Sequence, residues 1–248
     1  QICLYLGLRG QNYLRTFPFG QGWGFGTVNP KIWEDWFDDD IRKTGSIFNV
    51  TNRNEVVLYT FGADSHVDET SYVQKKYIPI NVYADGTHTV VHNYSMELYG
   101  NTVDNYMLNN TQDLVLIRFA DVLLMAAELN LGTAKAQSFL DRVRARVNLP
   151  SVPATLDNIK AERRFELAFE GVRFYDLLRW HDADRVLNEN QKDIVIYRSR
   201  TETVTKTITY RPETNGFLQI PLSEIELSKG VLTANPGWGS EAAYQDIY

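Results

Sequence analysis

Glu166 and Glu170 stand four residues apart, a spacing that puts two carboxylates on one face of a helix. If their surroundings pushed the two pKa values apart, such a pair could do acid and base work. Arg163, Arg164 and Arg173 fall within the same turns, and adjacent guanidinium groups keep carboxylates ionised and engaged. The spacing therefore favours a buried structural ion-pair network of Arg163, Arg164, Glu166, Glu170, Arg173 and Asp176 over a catalytic dyad. The four histidines, His66, His88, His92 and His181, offer little more. Thr89, Val90 and Val91 favour a strand between His88 and His92, which would hold those two rings about 13 Å apart. Neither an HExxH helix nor a Gly-x-Ser-x-Gly elbow occurs, so no catalytic residue is assigned. Cys3 is the single cysteine, which forbids an internal disulfide and leaves no thiol cluster for zinc or iron–sulfur. No metal and no cofactor is expected.

A different chemistry is offered by the run Phe19-Gly20-Gln21-Gly22-Trp23-Gly24-Phe25-Gly26. Glycine at this density excludes a regular helix, and the alternation lacks the Lys and Ser/Thr of a phosphate-binding loop. It reads as a loop that presents Trp23 and Phe25. An exposed aromatic face stacks on the apolar side of a sugar or a peptide side chain and needs no partner at fixed spacing. Trp23 and Phe25 are the first candidates for a ligand-binding platform, and Tyr94 and Tyr99, in an Asn-rich loop, are held in reserve. Trp33, Trp36 and Phe37 follow Asn29-Pro30, which opens a short helix, and these three rings are expected in the core.

The elements that must carry these residues change character along the chain. Residues 41–110 read as loop with a few strands (Val56 to Phe61, Thr87 to Tyr94). From Asp113, Leu116, Ala120, Leu123, Ala127 and Leu131 recur at helical spacing until Gly132 ends the run. Thr133 then caps a second helix with Ala136, Phe139, Leu140, Val143 and Val147 on its apolar face, stopped at Pro150. The two form a helical hairpin of tetratricopeptide size, although no second copy recurs at the expected period. A third helical region runs from Leu156 to Trp180, with Ile159, Arg163, Glu166, Glu170, Arg173 and Leu177 along one row. Ile194 to Arg211 reads as a β-hairpin, and a short helix is expected around Ser223 to Ser228.

Composition narrows the function classes. The 31 acidic and 25 basic side chains give a formal charge of −6, so there is no cationic surplus for a phosphate backbone and nucleic acid is not an expected partner. The apolar stretch Leu114 to Leu131 is broken by Arg118, Asp121 and Glu128, which argues against a membrane span.

Several ordered segments resemble the C-terminal half of the SusD/RagB family. They are Asp40-Ile41-Arg42, Ile117-Arg118-Phe119-Ala120-Asp121 through Glu128, Val143-Arg144-Ala145-Arg146, and Glu162-Arg163-Arg164-Phe165-Glu166-Leu167-Ala168-Phe169-Glu170-Gly171-Val172-Arg173-Phe174-Tyr175-Asp176 through Trp180. Ile220-Pro221 with Glu224-Ile225 and the closing Asn235-Pro236-Gly237-Trp238 complete the match. The resemblance implies a mainly α fold, with tetratricopeptide-like helical hairpins packed against an irregular, loop-rich region with short β-hairpins. It implies one SusD-like domain over 1–248, the C-terminal part of a longer chain, with a loop-rich ligand-binding side (1–112), a helical scaffold (113–180) and a hairpin with closing motif (181–248). The function it implies is that of a surface-exposed outer-membrane lipoprotein of Bacteroidota-type bacteria. Such a protein binds a glycan or oligosaccharide, catalyses nothing and serves a SusC-like TonB-dependent transporter in nutrient uptake. Membrane attachment would come only through an N-terminal lipid anchor absent from this chain, since Cys3 lacks the lipobox context. The other readings are a peptide-binding member of the same family, a helical-repeat scaffold for protein interaction and, third, a hydrolase.

Overall fold

The computed structural model describes residues 5–7, 22–50, 69–78, 81–83, 90–93, 114–190, 194–197 and 202–239. Asn29 accepts a hydrogen bond from the Lys31 backbone N–H (2.9 Å) and Pro30 takes the first helical position, together opening α1 (Pro30–Asp35). Asp40 likewise caps α2 (Ile41–Ser46) through the Arg42 N–H. That helix runs straight into β1 (Ile47–Asn49), antiparallel to β2 (Tyr72–Gln74) with Ile47 opposite Gln74. A second two-stranded pair joins β3 (Asn81–Tyr83) to β4 (Val90–Asn93), with Val82 opposite His92. The expected strand at Val56 to Phe61 lies outside the described residues.

The expected helical hairpin is present as α3 (Phe119–Leu129) and α4 (Ala134–Ala145). Gly132 adopts the left-handed backbone (φ 79°) that ends the first helix, and the Thr133 hydroxyl accepts from the Ala136 N–H to start the second. Leu123, Leu124 and Ala127 of α3 interlock with Leu140 and Val143 of α4 and with Ile159 of α5 (Leu156–Glu166), forming the helical core. A neighbouring core joins Val28, Trp36, Ile47 and Ala168, with Phe165, Phe169 and Tyr72 packed against it.

Two expectations are corrected here. Helix α3 begins at Phe119, and Leu116 is exposed ahead of it, because Arg118 takes an extended backbone (φ −135°, ψ 162°) and its side chain bonds Glu166 and Glu170. The third helical region is not continuous to Trp180. It stops after Glu166, passes through left-handed backbone at Phe169 and Gly171, and resumes as α6 (Arg173–Arg179).

The chain clusters into two compact units, Gln1–Arg173 with Asp193–Lys206, and Phe174–Lys192 with Thr207–Tyr248. The first also holds the antiparallel pair of β5 (Ile194–Tyr197) and β6 (Thr203–Lys206). In the second, most of α6 is followed by α7 (Ala183–Asn190) and later by α8 (Leu222–Leu227). The closing motif is keyed there by its own chemistry. The Trp238 indole N–H donates to the Phe217 carbonyl (3.0 Å), Asn235 donates to the Leu218 carbonyl (2.7 Å), and the Arg211 guanidinium lies 4.4 Å over the Trp238 ring while bonding the Gly237 carbonyl. Among the described residues the architecture is thus mainly helical with short antiparallel pairs, as the family resemblance implies. No helix among them is long and apolar enough to cross a membrane.

Candidate functional site

The aromatic residues near the start of the chain separate into two groups. Trp36 is buried, packs on Phe165 with ring centroids 5.0 Å apart, and donates its indole N–H to Asp40 (2.9 Å). Trp33 is half-buried, stacks on Tyr72 at 5.1 Å and receives the Lys43 ammonium over its ring. Phe37 does not join them in the core. It is 64% exposed because α1 ends at Asp35, so the chain past Trp36 no longer follows the helical face that carries Trp33. Trp23 and Phe25 are 40% and 45% exposed.

Phe25 is held by backbone rather than by core packing. Its N–H donates to the Tyr5 carbonyl and the Gly24 N–H to the Gly7 carbonyl, both at 2.8 Å. Gly26 follows in the left-handed backbone region, φ +72°, which strains any other residue. Tyr94 and Tyr99 lie outside the described residues.

The charged cluster is built from residues far apart in sequence. The Glu166 carboxylate, almost fully buried, accepts from Arg42 (2.7 Å), Arg118 (2.5 Å) and Arg146 (2.9 Å). Glu170 accepts from Arg118 (2.7 Å) and from Lys76 (2.5 Å). Arg42 continues the chain of contacts to Asp40 and to Glu162, which also takes Arg144 (2.6 Å). Of these residues, Arg42, Lys76, Arg118, Arg146, Glu166 and Glu170 border a cavity together with Ile41, Gly45 and Val147.

The break after Glu166 follows from the same contacts. A helix leaves its last carbonyls without partners, and the Glu166 carbonyl is taken here by the Lys76 ammonium (3.0 Å) and by Arg118. Cations at a helix C-terminus also complement its dipole. Sequence spacing suggests that neighbouring arginines serve Glu166 and Glu170. The structure instead directs Arg163 to Asp121 (2.7 Å), Arg164 to Asp35 (2.7 Å) and Asp176 to Arg179 (2.9 Å), while Arg173 opens α6 half-buried.

Burial by itself would raise the pKa of Glu166. Hydrogen bonds from Arg118 and Arg42, with the charges of Arg118 and Arg146, outweigh it and hold the carboxyl below its ordinary range. Asp40 behaves alike: burial opposes ionisation, and the contacts with Arg42 and Trp36 prevail. Lys76 moves the other way, lowered chiefly by burial despite Glu170. A carboxyl held below its ordinary range is a poorer proton donor, and the cluster is suited to fixing the fold. Arg42, Lys76, Arg118, Arg144, Arg146 and Glu162 were invisible to local spacing as network members. All of these but Lys76 do fall within the segments of family resemblance. No group of three His, Cys, Asp or Glu residues able to hold a metal occurs among the described residues.

Comparison with known proteins places this geometry. A sequence profile of the SusD family matches residues 11–238. SusD-like protein P2 of Formosa agariphila is 25% identical over 206 residues, 76% of this chain and 37% of that protein. A laminarin-binding SusD-like protein of solved structure superposes with a TM-score of 0.68 at 31% identity, over 95% of this chain and 44% of its own. Surface glycan-binding protein A of Bacteroides thetaiotaomicron, solved with laminarihexaose, gives a TM-score of 0.64 at 25% identity, over 93% of this chain and 44% of its own. The chain spans less than half the length of each of these relatives. Because the profile extends from the aromatic loop through the Glu166 network to the closing Trp238, the chain belongs to the SusD family.

Proposed function

We propose that the protein captures oligosaccharides at the bacterial surface, as an outer-membrane lipoprotein, and delivers them to a SusC-like TonB-dependent transporter without cleaving them. The names of the solved relatives support a β-1,3-glucan of the laminarin type as ligand. The observation that carries the reading is the exposure of Trp23 and Phe25 on a glycine-interrupted segment, with Phe25 fixed in place by backbone hydrogen bonds. Flat rings held open to solvent can stack on the C–H face of a hexose without rearranging. A binding role without cleavage is supported by Glu166, whose carboxyl the neighbouring arginines hold below its ordinary range.

Calorimetric titration with laminarihexaose tests this. Trp23→Ala is expected to weaken binding about fivefold to tenfold, since a ring contact is worth roughly 1 kcal/mol, with the melting temperature unchanged. Unaltered affinity in the folded variant would remove Trp23 from the site. The oligosaccharide should also be recovered intact after prolonged incubation, and fragments that vanish with Glu166→Gln in folded protein would restore the hydrolase reading.

A further inference from the structure

We infer that the cavity beside Glu166 and Glu170 is a binding site for a small oxyanion of the phosphate or sulfate type, built from residues other than those of the aromatic segment. The cavity encloses about 380 Å3 between the end of α2, the residues after β2 and the end of α4. Four cations, Arg42, Lys76, Arg118 and Arg146, line it against two carboxylates, Glu166 and Glu170. Asp40 and Glu162, both buried, compensate Arg42, and Glu170 serves Arg118. Among the described residues, Arg146 bonds Glu166 alone, and only through Nη2. That carboxylate already accepts from Arg42 and Arg118. One negative charge shared by three guanidinium groups leaves Arg146 under-compensated.

The surplus charge is open to solvent. The Arg146 side chain is 58% exposed, and its Nε and Nη1 donors have no hydrogen-bond partner among the described residues. A guanidinium fork of this kind matches two oxygens of a phosphate or sulfate. Ser46, buried at the end of α2, adds a hydroxyl to the wall, and Lys76 adds an ammonium. Burial lowers the pKa of Lys76 despite Glu170, so an anion entering the cavity would stabilise its charged form. Gly45 leaves room, because a Cβ there would meet no atom within 4 Å beyond its own helical backbone. A tetrahedral oxyanion can turn acceptors toward donors on all three segments at once, which favours it over a planar carboxylate.

The test is calorimetric titration of the 248-residue chain with inorganic phosphate in chloride buffer of constant ionic strength, paired with thermal denaturation along the same phosphate series. Wild type is expected to bind phosphate saturably and to melt higher as phosphate replaces chloride. Arg146→Gln should weaken phosphate about tenfold and lose that rise. Arg185→Gln, which removes an exposed arginine of α7 paired with Asp182, should respond as wild type. Gly45→Glu sets a carboxylate on the cavity wall and should also weaken phosphate about tenfold, which decides the matter if Arg146→Gln does not fold. Glucose 6-phosphate separates the two sources of the group: binding of it as well as of phosphate assigns an esterified oxyanion, and binding of phosphate alone assigns the free ion. Phosphate and chloride acting alike on wild type, or wild-type phosphate affinity in folded Arg146→Gln or Gly45→Glu, overturns the site. An equal loss in Arg185→Gln reduces the effect to net charge and overturns it as well.

Discussion

Among the described residues, Arg42 is the one through which the largest number of buried carboxylates find a partner. Its guanidinium reaches Asp40, Glu162 and Glu166, and all four side chains are buried. Removing one cation from such a cluster leaves charges behind that water cannot reach, at a cost of roughly 3–5 kcal/mol. Arg42→Ala is therefore expected to lower the denaturation midpoint severely, as read by urea titration. Arg146 provides the contrast, because it bonds the same Glu166 from a side chain that is 58% exposed. Ion pairs that remain in solvent contribute about 1 kcal/mol or less, so Arg146→Ala should shift the midpoint only slightly. Equal losses in the two variants would mean that burial does not set the strength of these contacts.

The helices differ in how much of their form is locally encoded. The α3–α4 hairpin was legible because apolar periodicity, the Gly132 stop and the Thr133 cap all lie within the segment they define. Thr155 starts α5 in the same way, accepting from the Asn158 N–H. Thr133→Ala and Thr155→Ala are each expected to cost about 1 kcal/mol, measurable by thermal or urea denaturation. A variant as stable as wild type would show that tertiary packing alone holds that helix start. The end of α5 was not legible, because its cause sits in Lys76 and Arg118, far away in sequence, and a row of residues at helical spacing carries no sign of a distant cation. The candidate site shows the same division. Glycine alternation pointed to an open loop at Trp23 and Phe25, whereas the ring beside Phe25 comes from Tyr5, which backbone pairing brings there. Phe37 failed as a core residue because the rotation of a helical face ceases to apply once the helix ends.

At the scale of the whole protein, the ionised carboxylates make stability a function of pH. The carboxyls of Asp35, Asp40 and Glu166 lie below their ordinary range in the folded state. Burial opposes this in each case, and hydrogen bonds from Lys31 and Arg164, from Arg42 and Trp36, and from Arg118 and Arg42, respectively, prevail. A group depressed on folding binds fewer protons folded than unfolded, so its contribution is complete above the unfolded pKa, about 3.9 for Asp and about 4.3 for Glu. The contribution drains away as pH falls from there through the lower folded value. Stability owed to these groups should consequently hold level from neutral pH down to the ordinary carboxylate range and decline in more acid solution. Glu166→Gln supplies the control, since a glutamine has no proton to take up. That variant should be less stable at neutral pH, because it leaves Arg42 and Arg118 short of a counter-charge, yet it should lose less on acidification, so the two curves draw together. Urea midpoints at about pH 7, 5 and 3 for wild type and variant measure the gap. The Asp40–Arg42–Glu166 contacts also tie the segment carrying Trp36 to α5, so the glycan binding proposed above should fail in acid together with the fold. Parallel curves for the two proteins, with a constant gap down to pH 3, would show that Glu166 is not the proton acceptor through which acid loosens this family member.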